Sequence, residues 1–253
     1  MIVLLPPSET KHEPSRGRPL DLNTLPFPAL ATTRHTVLAA LTEVSGRPDA
    51  ATILGVSAGL AAQVDRNTRL VSAPTAPAGA IYTGVLYDAL DLGSFDAGAR
   101  RRAARRLIIV SALFGAVRIG DRIPAYRLSM GVNLPGVGRL AAGWRGPLGD
   151  VLPDEVGRGL VLDCRSASYA AAWTPAGPLA QRWVHVRVPG VSHQAKHTRG
   201  LVARAVCEIA QDPRHPADLA AQLTATGFEV GLNAPARSGQ PWLLDVSAGD
   251  RFR

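Results

Sequence analysis

Four short polar segments of this 253-residue chain carry the side chains best suited to chemistry. Pro7-Ser8-Glu9-Thr10-Lys11 puts hydroxyls, a carboxylate and an ammonium within four residues, a set that can bind an anion and move protons. Ser111 to Met130 surrounds one acid, Asp121, with Arg118, Arg122 and Arg127 beside Tyr126. Guanidinium forks suit phosphate or carboxylate, and Gly115 and Gly120 allow a ligand close to the backbone. Asp163 to Tyr169 supplies Ser166, Ser168 and a phenol at what reads as a helix start, where backbone N–H groups attract anions. His193 to Gly200 places Lys196, Arg199 and Gly200 at i, i+3 and i+4 on one helix face. Two cations at a helix N-terminus oppose its dipole and are easier to explain with an anion bound there.

Base usage sharpens the choice among these segments. Of 28 basic residues, 26 are arginines and only Lys11 and Lys196 are lysines. In a chain so biased, a lysine that merely supplies charge can become arginine at little cost; a compact ammonium or an amine with a movable pKa cannot. Lys196, Lys11, Glu9 and Tyr169 are therefore the expected acid–base or nucleophilic groups, with Lys196 ranked above Lys11. Ser8, Thr10, Tyr82, Arg118, Tyr126, Arg127, Ser166, Arg199 and Gly200 are the expected anion-binding residues. Each segment also has a plainer reading: a solvated turn, an irregular loop whose arginines stay in water, or chance survival of two lysines. Cys164 reads as a buried, inert thiol, since no partner histidine is placed by sequence. His193 and His197 lack the glutamate of a metalloprotease helix, and there is no Cys-x-x-Cys pair, so no metal site is expected. Nothing names a cofactor.

A second function class rests on charge. The net charge of +8 favours polyanions such as nucleic acid, nucleotides or phosphates. Arg100, Arg101, Arg102, Arg105 and Arg106 crowd one helical stretch, which is either a solvated face or a contact for a phosphate backbone. Leu54 to Val64 loosely resembles a helix-hairpin-helix element, with Ser57 where its second glycine is usual. Ser57, Arg100, Arg101 and Arg105 are the expected nucleic-acid contacts.

The elements that must position these residues alternate between helix and strand. Ile2–Leu5, Leu107–Leu113, Leu160–Cys164 and Trp183–Val188 read as buried strands. Leu30–Val44, Asp96–Arg106, His193–Ala210 and Ala217–Thr226 have apolar residues at helical spacing or strong helix formers. Ala50–Val64 reads as helical with a break at Gly55 to Gly59, Gly115 to Gly138 as a long loop, and Leu140–Leu148 as a short helix. Phe228–Gly231 and Trp242–Val246 read as closing strands. With no internal repeat and no Pro/Ser-rich linker, the expectation is one mixed α/β domain over residues 1–253, a mixed sheet flanked by helices. No apolar run reaches the length of a membrane span, and the short apolar start has no basic lead of a secretory signal. Two cysteines make no disulfide framework. The expectation is a cytoplasmic monomer.

Taken in order, several blocks resemble the YaaA family of peroxide-stress proteins. Ile2 to Lys11 looks like the family's strand followed by Ser-Pro-Ala-Lys-Thr, and Val56 to Ala61 its Ile-Ser-Asp-Lys-Leu-Ala. Tyr82-Thr83-Gly84, Leu113 to Arg118, Pro124 to Gly131, Ser166 to Tyr169 and Ala195 to Leu201 resemble further family blocks. The resemblance implies one compact α/β domain, a cytosolic location, DNA binding through a helix-hairpin-helix-like element and a role in limiting peroxide damage; it implies no settled chemistry. Departures are visible: Glu9 replaces an alanine, Thr10-Lys11 is reversed, and Ala58-Gly59 removes a lysine from the hairpin block. Two readings follow: a DNA- or polyanion-binding stress protein, and an enzyme acting on a small anionic or nucleotide-like substrate.

Overall fold

The structure is a computed structural model that describes residues 1–190 and 192–249. Its centre is a seven-stranded sheet built from β1 (Ile2–Leu5), β2 (Leu107–Ser111), β3 (Gly115–Arg118), β4 (Val161–Asp163), β5 (Trp183–Arg187), β6 (Phe228–Asn233) and β7 (Trp242–Ala248). The strand order is 6-7-5-4-1-2-3. The inner strands 7, 5, 4, 1 and 2 are mutually parallel, while β3 and β6 close the edges antiparallel. Every residue of β1, β2 and β4 is buried, which is why they read as unbroken apolar runs rather than alternating ones.

Helices α1 (Ala31–Ser45), α2 (Val85–Leu90), α3 (Ala97–Arg106), α4 (Leu140–Val156), α5 (Ser192–Glu208) and α6 (Pro216–Ala225) cover this sheet. The chain leaves β1 towards β2 on one side and leaves β4 towards β5 on the other. The strand order thus reverses between β1 and β4, and a crevice opens at the carboxyl ends of strands at such a point. The Ser8–Lys11 and Ser166–Tyr169 segments both follow those two strands.

Two sequence expectations need correcting. The stretch read as a long loop from Gly115 begins with β3, paired to β2 through a tight turn. Gly115 has φ +71°, and a Cβ there would lie 2.5 Å from the Trp144 ring, so only glycine lets the turn sit on that indole. Trp144 Nε1 donates to Ala112 O at 2.8 Å, and the fully buried Arg34 donates to Phe114 O and Ala116 O, both at 2.9 Å. The helix expected to stop at Leu148 runs on to Val156 through Pro147 and Pro153. Its buried stripe Leu140, Trp144, Leu148, Leu152 and Val156 recurs every four residues. Burial of that stripe outweighs the lost backbone hydrogen bonds.

Around the proposed hairpin, Ala50–Leu54 and Ala61–Arg66 are short helices separated by Gly55, which ends the first in the left-handed conformation, and by a 3-10 turn at Ala58–Leu60. Ser57 is exposed with extended backbone, and its side chain caps nothing.

Candidate functional site

Five chain segments meet at the crevice between β1 and β4. The Ser8–Lys11 loop is pinned first by its own short contacts. Ser8 Oγ donates to Thr10 O and accepts from Thr83 N at 3.1 Å; Thr83 Oγ1 donates to Thr10 O at 3.3 Å. An antiparallel bridge joins Lys11 to Tyr82, and His12 N donates to Ile81 O at 2.8 Å. Tyr87 fixes the loop's entry by donating its hydroxyl to Pro6 O at 2.8 Å.

This pinning holds the Lys11 amine over aromatic faces. Nζ lies 4.4 Å from the Tyr126 ring centroid and 5.5 Å from that of Tyr82, and it donates to Ser8 O at 2.6 Å. Among the described residues it forms no ion pair. Burial pulls the Lys11 ammonium down to about 7; the positive charge of Arg127 reinforces this, Glu9 opposes it, and Arg66 adds to the lowering. Behind the amine, Tyr82 and Tyr126 share a hydroxyl–hydroxyl hydrogen bond of 3.0 Å, and Ser111 Oγ meets the Tyr126 hydroxyl at 2.8 Å. Ser111 in turn accepts from Leu113 N and Phe114 N, so the turn after β2 orients the phenols. Burial keeps both phenols protonated.

The polar rim comes from three further segments. Arg127 donates to Glu9 O at 3.2 Å, and the fully buried Asn67 clamps its backbone with two bonds of 2.9 Å each. Glu9 reaches across to α5, where its Oε1 lies 3.8 Å from Lys196 Nζ. Tyr169 stands near Ser129 and Met130, within electrostatic reach of Glu9 and Arg127; burial pushes its phenol up to about 12. Beneath it the Ser166–Tyr169 segment is set by a wholly buried ion pair. Arg165 grips both Asp163 oxygens at 2.8 and 2.7 Å and donates to Tyr169 O and Trp173 O at 3.3 and 2.8 Å. Trp183 Nε1 adds a donor to Asp163 at 3.1 Å. A cavity of about 250 Å³ opens beside the cluster, sharing Tyr82 and Thr83 as walls with Tyr87, Asp88 and Asp91.

Lys11, Lys196, Glu9, Tyr169, Ser8, Thr10, Tyr82, Tyr126 and Arg127 are thus gathered in one place, as their positions after strands and at a helix start lead one to expect. The two lysines sit in different surroundings. Lys196 is half exposed, while Lys11 is the amine enclosed by rings and neighbouring cations. Ser166 stands at the N-terminus of the short Ala167–Ala170 helix without a side-chain capping bond, its hydroxyl 3.2 Å from that of Ser168. Three residues do not join the cluster as ligand groups. Arg118 is held by Ala104 O, Arg105 O and Glu155 and lies over the Phe27 ring. Arg199 turns inward, donating to Val186 O at 3.4 Å. Gly200 serves packing: a Cβ there would sit 2.2 Å from Leu86 O, so glycine lets α5 rest directly on α2. Sequence reasoning missed Asn67, Ser111 and Thr83. Asn67 lies in the polar run Asp65-Arg66-Asn67-Thr68-Arg69, which reads as surface and gives no sign of a buried clamp.

The arginine helix divides. Arg102 donates to Cys207 O and Glu208 O, and Arg106 to Val206 O and Ile209 O, so both cap the carboxyl end of α5. Arg100, Arg101 and Arg105 remain exposed. Cys164 and Cys207 are buried free thiols, each pushed up to about 12 by burial, a poor setting for thiolate chemistry. Among the described residues no helix is long and apolar enough to cross a membrane, and no three His, Cys, Asp or Glu side chains are grouped to hold a metal ion.

Fold and site together define an open, mostly parallel α/β domain with a cluster of cationic and phenolic side chains where its strand order reverses. Residues 1–231 match the family model described as "Peroxide stress protein YaaA". A UPF0246 protein of Streptomyces coelicolor is 51% identical over 254 residues, covering 97% of this chain and 98% of its own. Relatives of the same name in Corynebacterium efficiens and Corynebacterium glutamicum are 39% and 36% identical, each covering 92% of this chain and 96% of their own. The chain belongs to the YaaA (UPF0246) family of peroxide-stress proteins.

Proposed function

We propose that this family member acts in the cytoplasm, as a monomer, on a small anionic or nucleotide-like substrate held at the Lys11 pocket. The observation that carries this reading is the meeting of Lys11, Arg127, Tyr169 and Lys196, from four separate segments, around Glu9, whose backbone carbonyl accepts from Arg127 and whose carboxylate faces Lys196 and acts electrostatically on Lys11 and Tyr169. Arg127 and Lys196 would receive the anion, and Lys11 would be the proton-transferring or attacking group. A purely electrostatic binder gains nothing from an amine whose charge is half lost near neutral pH; a reacting site does. Titration calorimetry with inorganic phosphate and nucleoside monophosphates tests this. Binding by the native chain should weaken by roughly tenfold or more in Arg127→Ala, the size of one lost charged hydrogen bond. No binding by the native chain, or equal binding by the variant, would remove the reading.

The exposure of Arg100, Arg101 and Arg105 on one helix favours a second reading, contact with DNA or another polyanion, with the short-helix pair around Ser57 as a further contact. The two arginines withdrawn to cap α5 shrink that face. Affinity for duplex DNA that falls steeply with salt, and falls further in Arg101→Glu/Arg105→Glu, would favour it over the pocket.

A further inference from the structure

Resting on the pocket reading, we infer that Lys11 is a nucleophile that forms an imine with a carbonyl compound carrying a carboxylate or phosphate group. The geometry supplies each requirement. The amine is fixed by Ser8 O at 2.6 Å and walled by the Tyr126 and Tyr82 rings, so one side is free of water and the resulting imine is shielded from hydrolysis. No carboxylate of the described residues pairs with it, so its lone pair is not tied up as a salt-bridged ammonium. The charges that act on it from the packed elements are Arg127, Glu9 and Arg66; its ring neighbours stay neutral phenols. Two of those three charges are positive, and Lys196 stands beyond Glu9, so the approach to the amine selects an anionic carbonyl over a neutral one. With an amine near neutrality, a sizeable fraction is unprotonated at physiological pH, as an attacking lysine requires. The choice of residue agrees: in a chain with 26 arginines, only an amine can make this bond.

The step balances without redox. The Lys11 nitrogen adds to the carbonyl carbon, giving a carbinolamine. The former carbonyl oxygen then leaves as water, taking both its hydrogens from the amine, and a C=N bond remains. Hydrolysis reverses it.

The chain itself simplifies the test, because Lys11 and Lys196 are its only lysines. The intact protein is incubated with glyoxylate, or with acetaldehyde as the neutral counterpart, under cyanoborohydride, and the alkylated peptides are quantified by mass spectrometry. Glyoxylate is expected to label Lys11 roughly tenfold more than Lys196, whose amine stands half exposed and paired with the Glu9 carboxylate. Acetaldehyde should show much less preference, inorganic phosphate should protect Lys11, and Lys11→Arg should abolish the adduct at position 11 while leaving that at Lys196. Equal labelling of the two lysines, or none at Lys11, would overturn the inference. Phosphate binding measured by calorimetry on the same sample separates the failures: retained binding without Lys11 labelling removes the imine alone, and loss of both removes the pocket reading as well.

Discussion

Two cations, Arg165 fully buried and Lys11 partly so, follow neighbouring strands, and their charges are handled in opposite ways. Arg165, after β4, is completely buried and meets a carboxylate, two carbonyls and a Trp-anchored partner, so each of its contacts is structural. Lys11, after β1, meets two ring faces and one carbonyl, and its nearest charged companions are mostly positive. The pairing of Arg165 holds the Asp163 carboxyl below its usual range although burial pushes the other way. For Lys11 only Glu9 opposes burial, and the positive charges of Arg127 and Arg66 add to its effect. A fully satisfied buried pair fixes a loop in place; an amine without a paired anion has its charge disfavoured where the loop holds it.

The largest effect should come from breaking the satisfied pair. Asp163→Ala leaves Arg165 buried without its anion and is expected to cost about 3–5 kcal/mol in urea unfolding, whereas the double variant Asp163→Leu/Arg165→Met should recover much of that loss. A small cost for the single variant would mean that the pair does not organise the Ser166–Tyr169 segment.

Next comes Lys11. Its folded value of about 7 lies below the ordinary 10.5, so between those limits the unfolded chain binds the extra proton. Stability therefore rises with pH across that window. Lys11→Met removes the effect. The variant should be the more stable protein at pH 7 and below, and its advantage should vanish as pH passes 10.5. A difference between the two proteins that stays flat with pH would show that burial does not perturb this amine.

The smallest effect on stability belongs to Lys196. Its pair with Glu9 spans 3.8 Å between side chains 52% and 76% exposed, so Lys196→Ala should change unfolding by no more than about 0.5 kcal/mol. Phosphate affinity should nevertheless fall. A large stability loss would place Lys196 in the framework rather than at the rim of the pocket.

Much of this architecture was legible in the sequence because its signals are local. The runs Leu107–Leu113 and Leu160–Cys164 read as buried strands from their own residues, and strands form within them at Leu107–Ser111 and Val161–Asp163; the Lys–Arg imbalance singled out both lysines before any contact was visible. Non-local effects were not legible. Helix α4 runs through two prolines because its apolar stripe is buried against the rest of the molecule, a reward that no local window contains. The inward turn of Arg102 and Arg106 depends on where the end of α5 happens to dock.

The sequence by itself determined the α/β class, most strands of the central sheet and the family, since composition, periodicity and residue type are properties of the chain alone. Only the tertiary structure decided which of those groups meet. Parallel pairing puts the ends of β1 and β4 side by side, although 156 positions separate Leu5 from Val161. It also decided that the Lys11 amine is perturbed, because desolvation is set by what surrounds a charge, and here the surroundings are Tyr82 and Tyr126 from distant parts of the chain.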